Sequence, residues 1–122
     1  MQNFRRNRAW RKAHALVLAC QPLLRRFPRH YASLRTQLHK AVESIAMNIV
    51  EGCGCESQRE FARYLQHSIN SADEVEYQLQ LAFDYRLINL ELWTRLTSDV
   101  RQTRAMIISL RRKILRDLGE QQ

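Results

Sequence analysis

Apolar residues return every three or four positions through four successive segments of this chain, a period that suits the buried face of an α-helix and no β-strand. In the first segment Trp10, Ala13, Val17, Cys20, Leu24 and Phe27 form the line, and Phe27-Pro28 ends it. The second runs from about Tyr31 to Glu51 with Leu34, Leu38, Ala41, Ile45 and Ile49 inward, and Gly52 is the expected C-terminal stop. The third opens at Ser57-Gln58-Arg59-Glu60, a capping box in which Ser57 and Glu60 satisfy each other's free backbone amides. Its stripe, Phe61, Leu65, Ser68, Ala72, Val75, Leu79 and Ala82, carries it to about Asp84. Asn89 caps the fourth, whose line is Trp93, Leu96, Val100, Thr103, Ile107, Leu110 and Ile114. Pro22 sits inside the first helix and removes the bond to the Leu18 carbonyl, so a kink is expected there.

Three Gly and two Pro in 122 residues leave little material for turns. Short connections between helices favour antiparallel neighbours, so the expected fold is all-α, a single domain over residues 1–122 built as an up-down-up-down four-helix bundle.

Charge is distributed very unevenly along that bundle. The first 42 residues hold ten Arg and Lys and no acid, residues 41–100 carry a net −6, and the tail from Arg101 carries +4, giving +8 in all. A segment of one sign repels itself unless a polyanion or an acidic surface neutralises it. In an antiparallel bundle the start of the first helix and the end of the fourth share a pole. Arg5, Arg6, Arg8, Arg11 and Lys12 are thereby expected to approach Arg111, Arg112, Lys113 and Arg116, forming the footprint of a phosphate-backbone binder. Arg25 and Arg26 repeat Arg11 and Lys12 on the same face roughly 21 Å further along the helix. The bland alternative is a solvated surface partly paired with Glu51, Glu56 and Glu60. No helix-turn-helix spacing, zinc finger or ribonucleoprotein aromatic motif marks base-specific readout, so contacts are expected with RNA or DNA backbone.

Residues 13–24 contain no charged side chain on any face. A bundle buries one side of each helix, which leaves Ala15, Leu18, Ala19 and Pro22 as an expected subunit interface of a closed homo-oligomer. Ser44, Asn48 and Glu51 on the second helix face Ser71 and Glu74 on the third at core spacing, and are expected to form an interhelical polar network. The paired Glu-x-x-His motifs of a bundle metal site are lacking, as are a phosphate loop and a nucleophile elbow; the expectation is no enzyme, no metal and no cofactor. Three cysteines, an odd number without C-x-x-C spacing, fit a reducing compartment, and Cys53 and Cys55 read as loop thiols. With no bilayer-spanning apolar run and no cleavable leader, the expected location is the cytoplasm, with no membrane partner.

Phe4 to Trp10 with Lys12-Ala13, Phe27-Pro28, Gln37-Leu38, Ser44-Ile45 followed by Asn48-Ile49-Val50-Glu51-Gly52, and Ser71, Glu74 and Glu76 together resemble a known family. It is the family of small bacterial four-helix-bundle proteins encoded in intervening sequences of large-subunit ribosomal RNA genes. The resemblance covers nearly the whole chain, and its most specific element is the run at 44–52. That family is related to accessory proteins of diversity-generating retroelements, which bind a reverse transcriptase and nucleic acid as cyclic pentamers. The resemblance implies a non-enzymatic, ring-forming bundle, a homopentamer associated with RNA. Ala46 and Asn70 stand where the family commonly has Pro and Gly, so helix packing at those points is expected to differ. Two functions compete: a basic nucleic-acid-binding or scaffolding bundle, and a protein-interaction adaptor such as a reverse-transcriptase accessory subunit.

Overall fold

A computed structural model describes residues 1–120. Four helices make up nearly all of it: α1 (Arg8–Arg26), α2 (Ala32–Cys53), α3 (Gln58–Asp84) and α4 (Leu90–Glu120). Short 3-10 turns at Phe4–Arg6 and Arg29–Tyr31 precede α1 and α2. The described residues include no strand.

Three of the helix starts are set by a side chain that takes up free backbone amides. Asn7 Oδ1 accepts from the Trp10 amide at 3.0 Å, Ser57 Oγ from the Glu60 amide at 3.1 Å, and Asn89 Oδ1 from the Leu92 amide at 2.8 Å. Only half of the expected capping box forms, because the Glu60 carboxylate turns to Arg63, 2.9 Å away. α3 ends in a Schellman motif: Leu87 N–H donates to Ala82 C=O at 2.8 Å and Arg86 N–H to Phe83 C=O at 2.9 Å. The position that normally takes glycine in this motif is Arg86, at φ 63°.

The end of α2 departs from expectation. Gly52 is not a stop; it lies within the helix, and Gly54 caps it, donating to the carbonyls of Val50 and Glu51. Gly52 admits a close approach of α3, since a Cβ there would meet the Phe61 ring at 2.6 Å.

Neighbouring helices pair with residue numbers running in opposite directions. Gly52 meets Phe61 and Ser44 meets Ser71 between α2 and α3, while Phe83 stacks on Trp93 and Asp73 pairs with Arg104 between α3 and α4. The core they enclose contains the expected lines of α2 and α3 in full, together with Leu96, Val100, Thr103, Ile107 and Ile114 of α4. In α1 the buried line is turned. Ala9, Leu16 and Leu23 join Ala13, Cys20 and Leu24 inside, whereas Trp10 and Val17 remain half-buried on the flank. Small and aliphatic side chains take the crowded inner positions, and the bulky indole stacks elsewhere. α1 runs continuously through Pro22, whose ring is exposed.

Candidate nucleic-acid interface

The N-terminal segment is tied to the end of α2. Gln2 N–H donates to the Cys53 carbonyl at 2.8 Å, and Asn7 Nδ2 lies 3.9 Å from Cys53 Sγ. The C-terminal half of α4 reaches the same pole, where Arg111 Nε donates to the Ala62 carbonyl near the start of α3 at 3.2 Å. Two cationic runs from opposite ends of the sequence therefore meet at one end of the bundle.

Between them lies a groove of about 1070 Å³, walled by Asn7, Arg8 and Ala9 of one run and by α4 from Ala105 to Arg116. Arg8, Arg112, Lys113 and Arg116 line it, Met106, Ile108 and Leu110 supply apolar floor, and among the described residues none that lines it is acidic. Arg5 and Arg6 lie on the exposed 3-10 turn, and Lys12 is half-buried one turn beyond Arg8. Arg11 is exposed and anchors the turn through its Nε, 2.8 Å from the Arg5 carbonyl. Among the described residues none of these cations pairs with a carboxylate, and Glu60, offered by the sequence as a neutralising partner, is taken by Arg63. Arg111 is the correction: its half-buried guanidinium is directed to α3 and bonds a main-chain carbonyl, so it braces the bundle and does not line the groove.

The polar network is smaller than the sequence indicates. Ser44 and Ser71 hydroxyls meet at 2.8 Å across α2 and α3, and Asn48 Nδ2 donates to Ser44 C=O and Oγ at 2.8 and 3.0 Å. Asn48 thus acts within α2 and reaches α3 only through Ser44. Glu51 and Glu74 are exposed and outside the network, because solvent satisfies a carboxylate at no burial cost. The buried cross-link between these helices is one the sequence does not reveal: Ser68 Oγ donates to the Ile45 carbonyl at 2.7 Å, a bond that spacing alone shows only as a serine in an apolar stripe. Asn70 faces solvent and accepts from Gln66 Nε2 at 3.0 Å, while Ala46 is buried.

Of the two thiols near this pole, Cys53 does not have the environment of a nucleophile. Cys53 is the buried last residue of α2, not a loop residue, and burial pushes its thiol up, partly opposed by the N-terminal ammonium. Cys55 lies just past the helix, where its thiol donates to the Glu51 carbonyl at 3.4 Å. Cys20, in the core, is pushed up to about 12 by burial and the Asp99 charge. Among the described residues no group of three His, Cys, Asp or Glu side chains is gathered as metal ligands would be. No helix among them is long and apolar enough to cross a membrane.

Away from the groove, Ala15, Leu18, Ala19 and Pro22 lie on the outer side of α1, with Leu18 57% accessible. A second cleft, of about 310 Å³, runs between α3 and α4, bounded by Tyr77, Trp93, Thr97 and the ion-paired Asp73, Glu76 and Arg104. The buried Trp93 Nε1 and Thr97 Oγ1 have no hydrogen-bond partner there.

The family model described as 23S rRNA-intervening sequence protein matches residues 5–109. Comparison with curated proteins gives no match. A crystal structure of a protein of unknown function from the S23 ribosomal protein family of Bacteroides thetaiotaomicron VPI-5482 superposes with a TM-score of 0.81. It is 21% identical and covers 87% of this chain and 96% of its own, a likeness that establishes the fold alone. With the family model spanning all of α1, α2 and α3 and most of α4, the chain belongs to the 23S rRNA-intervening sequence protein family.

Proposed function

We propose that this protein is a non-enzymatic, self-associating bundle that binds nucleic acid through the phosphate backbone, with RNA the first polynucleotide to test. The observation that carries the reading is the groove between the start of α1 and the end of α4, where Arg8, Arg112, Lys113 and Arg116 gather with no acid among the described lining residues. Cations that pair with no carboxylate among the described residues, on a bundle otherwise well supplied with them, favour a polyanionic partner. Self-association is supported by the uncharged outer face of α1 around Leu18, and a cytoplasmic setting by three free cysteines.

Fluorescence anisotropy across a salt series tests the groove. Arg112, Lys113 and Arg116 replaced together by Gln should weaken binding to unrelated sequences nearly equally, and lower the slope of log affinity against log salt by about 0.7–0.9 for each phosphate no longer neutralised. Unchanged affinity and slope remove the groove as the binding surface. Arg111→Gln serves as the internal contrast: it should reduce stability while leaving the slope alone, since that guanidinium is engaged by Ala62.

A protein-interaction adaptor, such as an accessory subunit of a reverse transcriptase, is the second reading. It is favoured by the α3–α4 cleft, where unpartnered Trp93 and Thr97 polar atoms lie beside a Tyr77 ring that is 63% exposed. Tyr77→Ala abolishing co-purification of a partner while nucleic-acid affinity stays constant would select this reading.

A further inference from the structure

We infer that the polynucleotide this protein holds is single-stranded, and that one of its unpaired bases stacks on the open face of the His14 ring. The inference rests on the nucleic-acid reading above and deepens it by naming the strand state. Its basis is an aromatic ladder that starts beside the basic groove. Trp10 and His14, one helical turn apart on α1, stack with ring centres 4.9 Å apart and planes at 11°. Phe4 closes the other end, edge-on to Trp10 at 4.9 Å, with the Arg5 guanidinium 4.7 Å over the Phe4 ring. Trp10 and Phe4 are half-buried and His14 is exposed, so the ladder has a packed base and a free top.

A parallel indole beneath it holds the imidazole at a fixed tilt, and a fixed flat ring is what a base needs to stack on without ordering the protein first. Two cations lie between the groove and this platform. Arg11, exposed on the turn between Trp10 and His14, is tethered to the Arg5 carbonyl, and Arg8 stands on the groove wall. Arg8, Arg11 and His14 follow one another at three-residue steps, so His14 lies roughly 9 Å along the helix from Arg8 and about 120° around it, with exposed Arg11 between them. A strand leaving the groove can cross the outer side of α1 past exposed Arg11 and present its next few bases to His14. Phosphate contacts alone would accept a duplex equally, but in a duplex the base faces are already occupied by their neighbours. Neither stacking nor phosphate contact reads a 2′-hydroxyl, so RNA and DNA single strands should bind alike.

The test uses the full chain and three labelled probes of equal length: an oligouridylate, an oligothymidylate and a duplex RNA, titrated by fluorescence anisotropy. His14→Ala should weaken both single strands by about fivefold or more and leave the duplex within about twofold. His14→Phe should restore single-strand affinity, separating an aromatic surface from the loss of an imidazole. Because His14 is exposed, both variants should keep the helical circular dichroism of the parent. Unchanged single-strand affinity in His14→Ala, no recovery in His14→Phe, or an equal loss for the duplex each overturns the stacking inference. If the unaltered protein binds none of the three probes, the nucleic-acid reading itself falls. Equal binding of all three with no effect at His14 removes only the stacking and leaves the groove in place.

Discussion

Gly52 lies directly against Phe61 where α2 packs on α3: a Cβ on Gly52 would lie 2.6 Å from Phe61 Cδ1 and 3.2 Å from Tyr64 Cβ. The Phe61 ring is fully enclosed and cannot swing aside. Gly52→Ala should therefore force the helices apart and destabilise the fold by about 1–3 kcal/mol in chemical denaturation, despite alanine's better helix propensity. A stabilised Gly52→Ala protein would show that the interface relaxes freely.

Arg86 occupies a left-handed conformation at φ 63° in the Schellman motif that ends α3. A side chain there costs roughly 1–2 kcal/mol, while glycine adds roughly 0.5–1 kcal/mol of unfolded-state entropy. Arg86→Gly should accordingly stabilise by about 0.5–1 kcal/mol, read as a raised thermal midpoint. A lowered midpoint would show that the entropy outweighs the relief of strain.

Asn48 donates to both the carbonyl and the hydroxyl of Ser44, and that hydroxyl meets Ser71. Asn48→Ala removes the amide but leaves the Ser44–Ser71 pair intact, so no buried group is orphaned. The expected loss is about 0.5–1.5 kcal/mol by thermal denaturation. A loss above about 3 kcal/mol would mean that Asn48 itself bridges the helices.

Burial pushes the Glu76 carboxyl up, but hydrogen bonds and charge from Arg104 and Arg101 outweigh it and bring its pKa below the ordinary 4.5. A carboxyl whose folded pKa is depressed contributes stability above its unfolded pKa and loses it as pH falls through the folded one. Stability measured by urea denaturation should decline as pH drops below about 4.5, and Glu76→Gln should flatten that decline. An identical acid profile in the variant would assign the decline to other carboxylates.

Leu18→Glu probes the proposed self-association, since burying an unpaired charge between subunits is costly. The variant should retain its helical circular dichroism, because Leu18 is outside the core, yet lose mass by light scattering relative to the parent. A parent that already scatters as a 14.5 kDa monomer at micromolar concentration would refute the interface.

Helix positions are legible in the sequence because period and caps are local. The stripes of α2 and α3 are buried residue for residue, and Ser57 and Asn89 need only their next few neighbours to set a helix start, as does Asn7, which is not among the caps expected from the sequence. Sign of charge is likewise a property of composition, so the cationic runs at either end of the chain are visible without any fold.

Direction is not. Whether Arg111 lines a groove or braces Ala62 depends on which side of α4 meets α3, and one residue of helix is a turn of about 100°. Trp10 fits the apolar period of α1 as well as Ala9 or Leu16, but the space inside the bundle admits the smaller side chains and leaves the indole to stack on His14. Gly52 looks like a helix stop until Phe61 is found against it, and Glu51 and Glu74 look like core partners until solvent reaches them. Local pattern determined the elements and their charge; the rotation of each helix about its own axis, fixed only by close packing against its neighbours, decided which side chains the surface presents together.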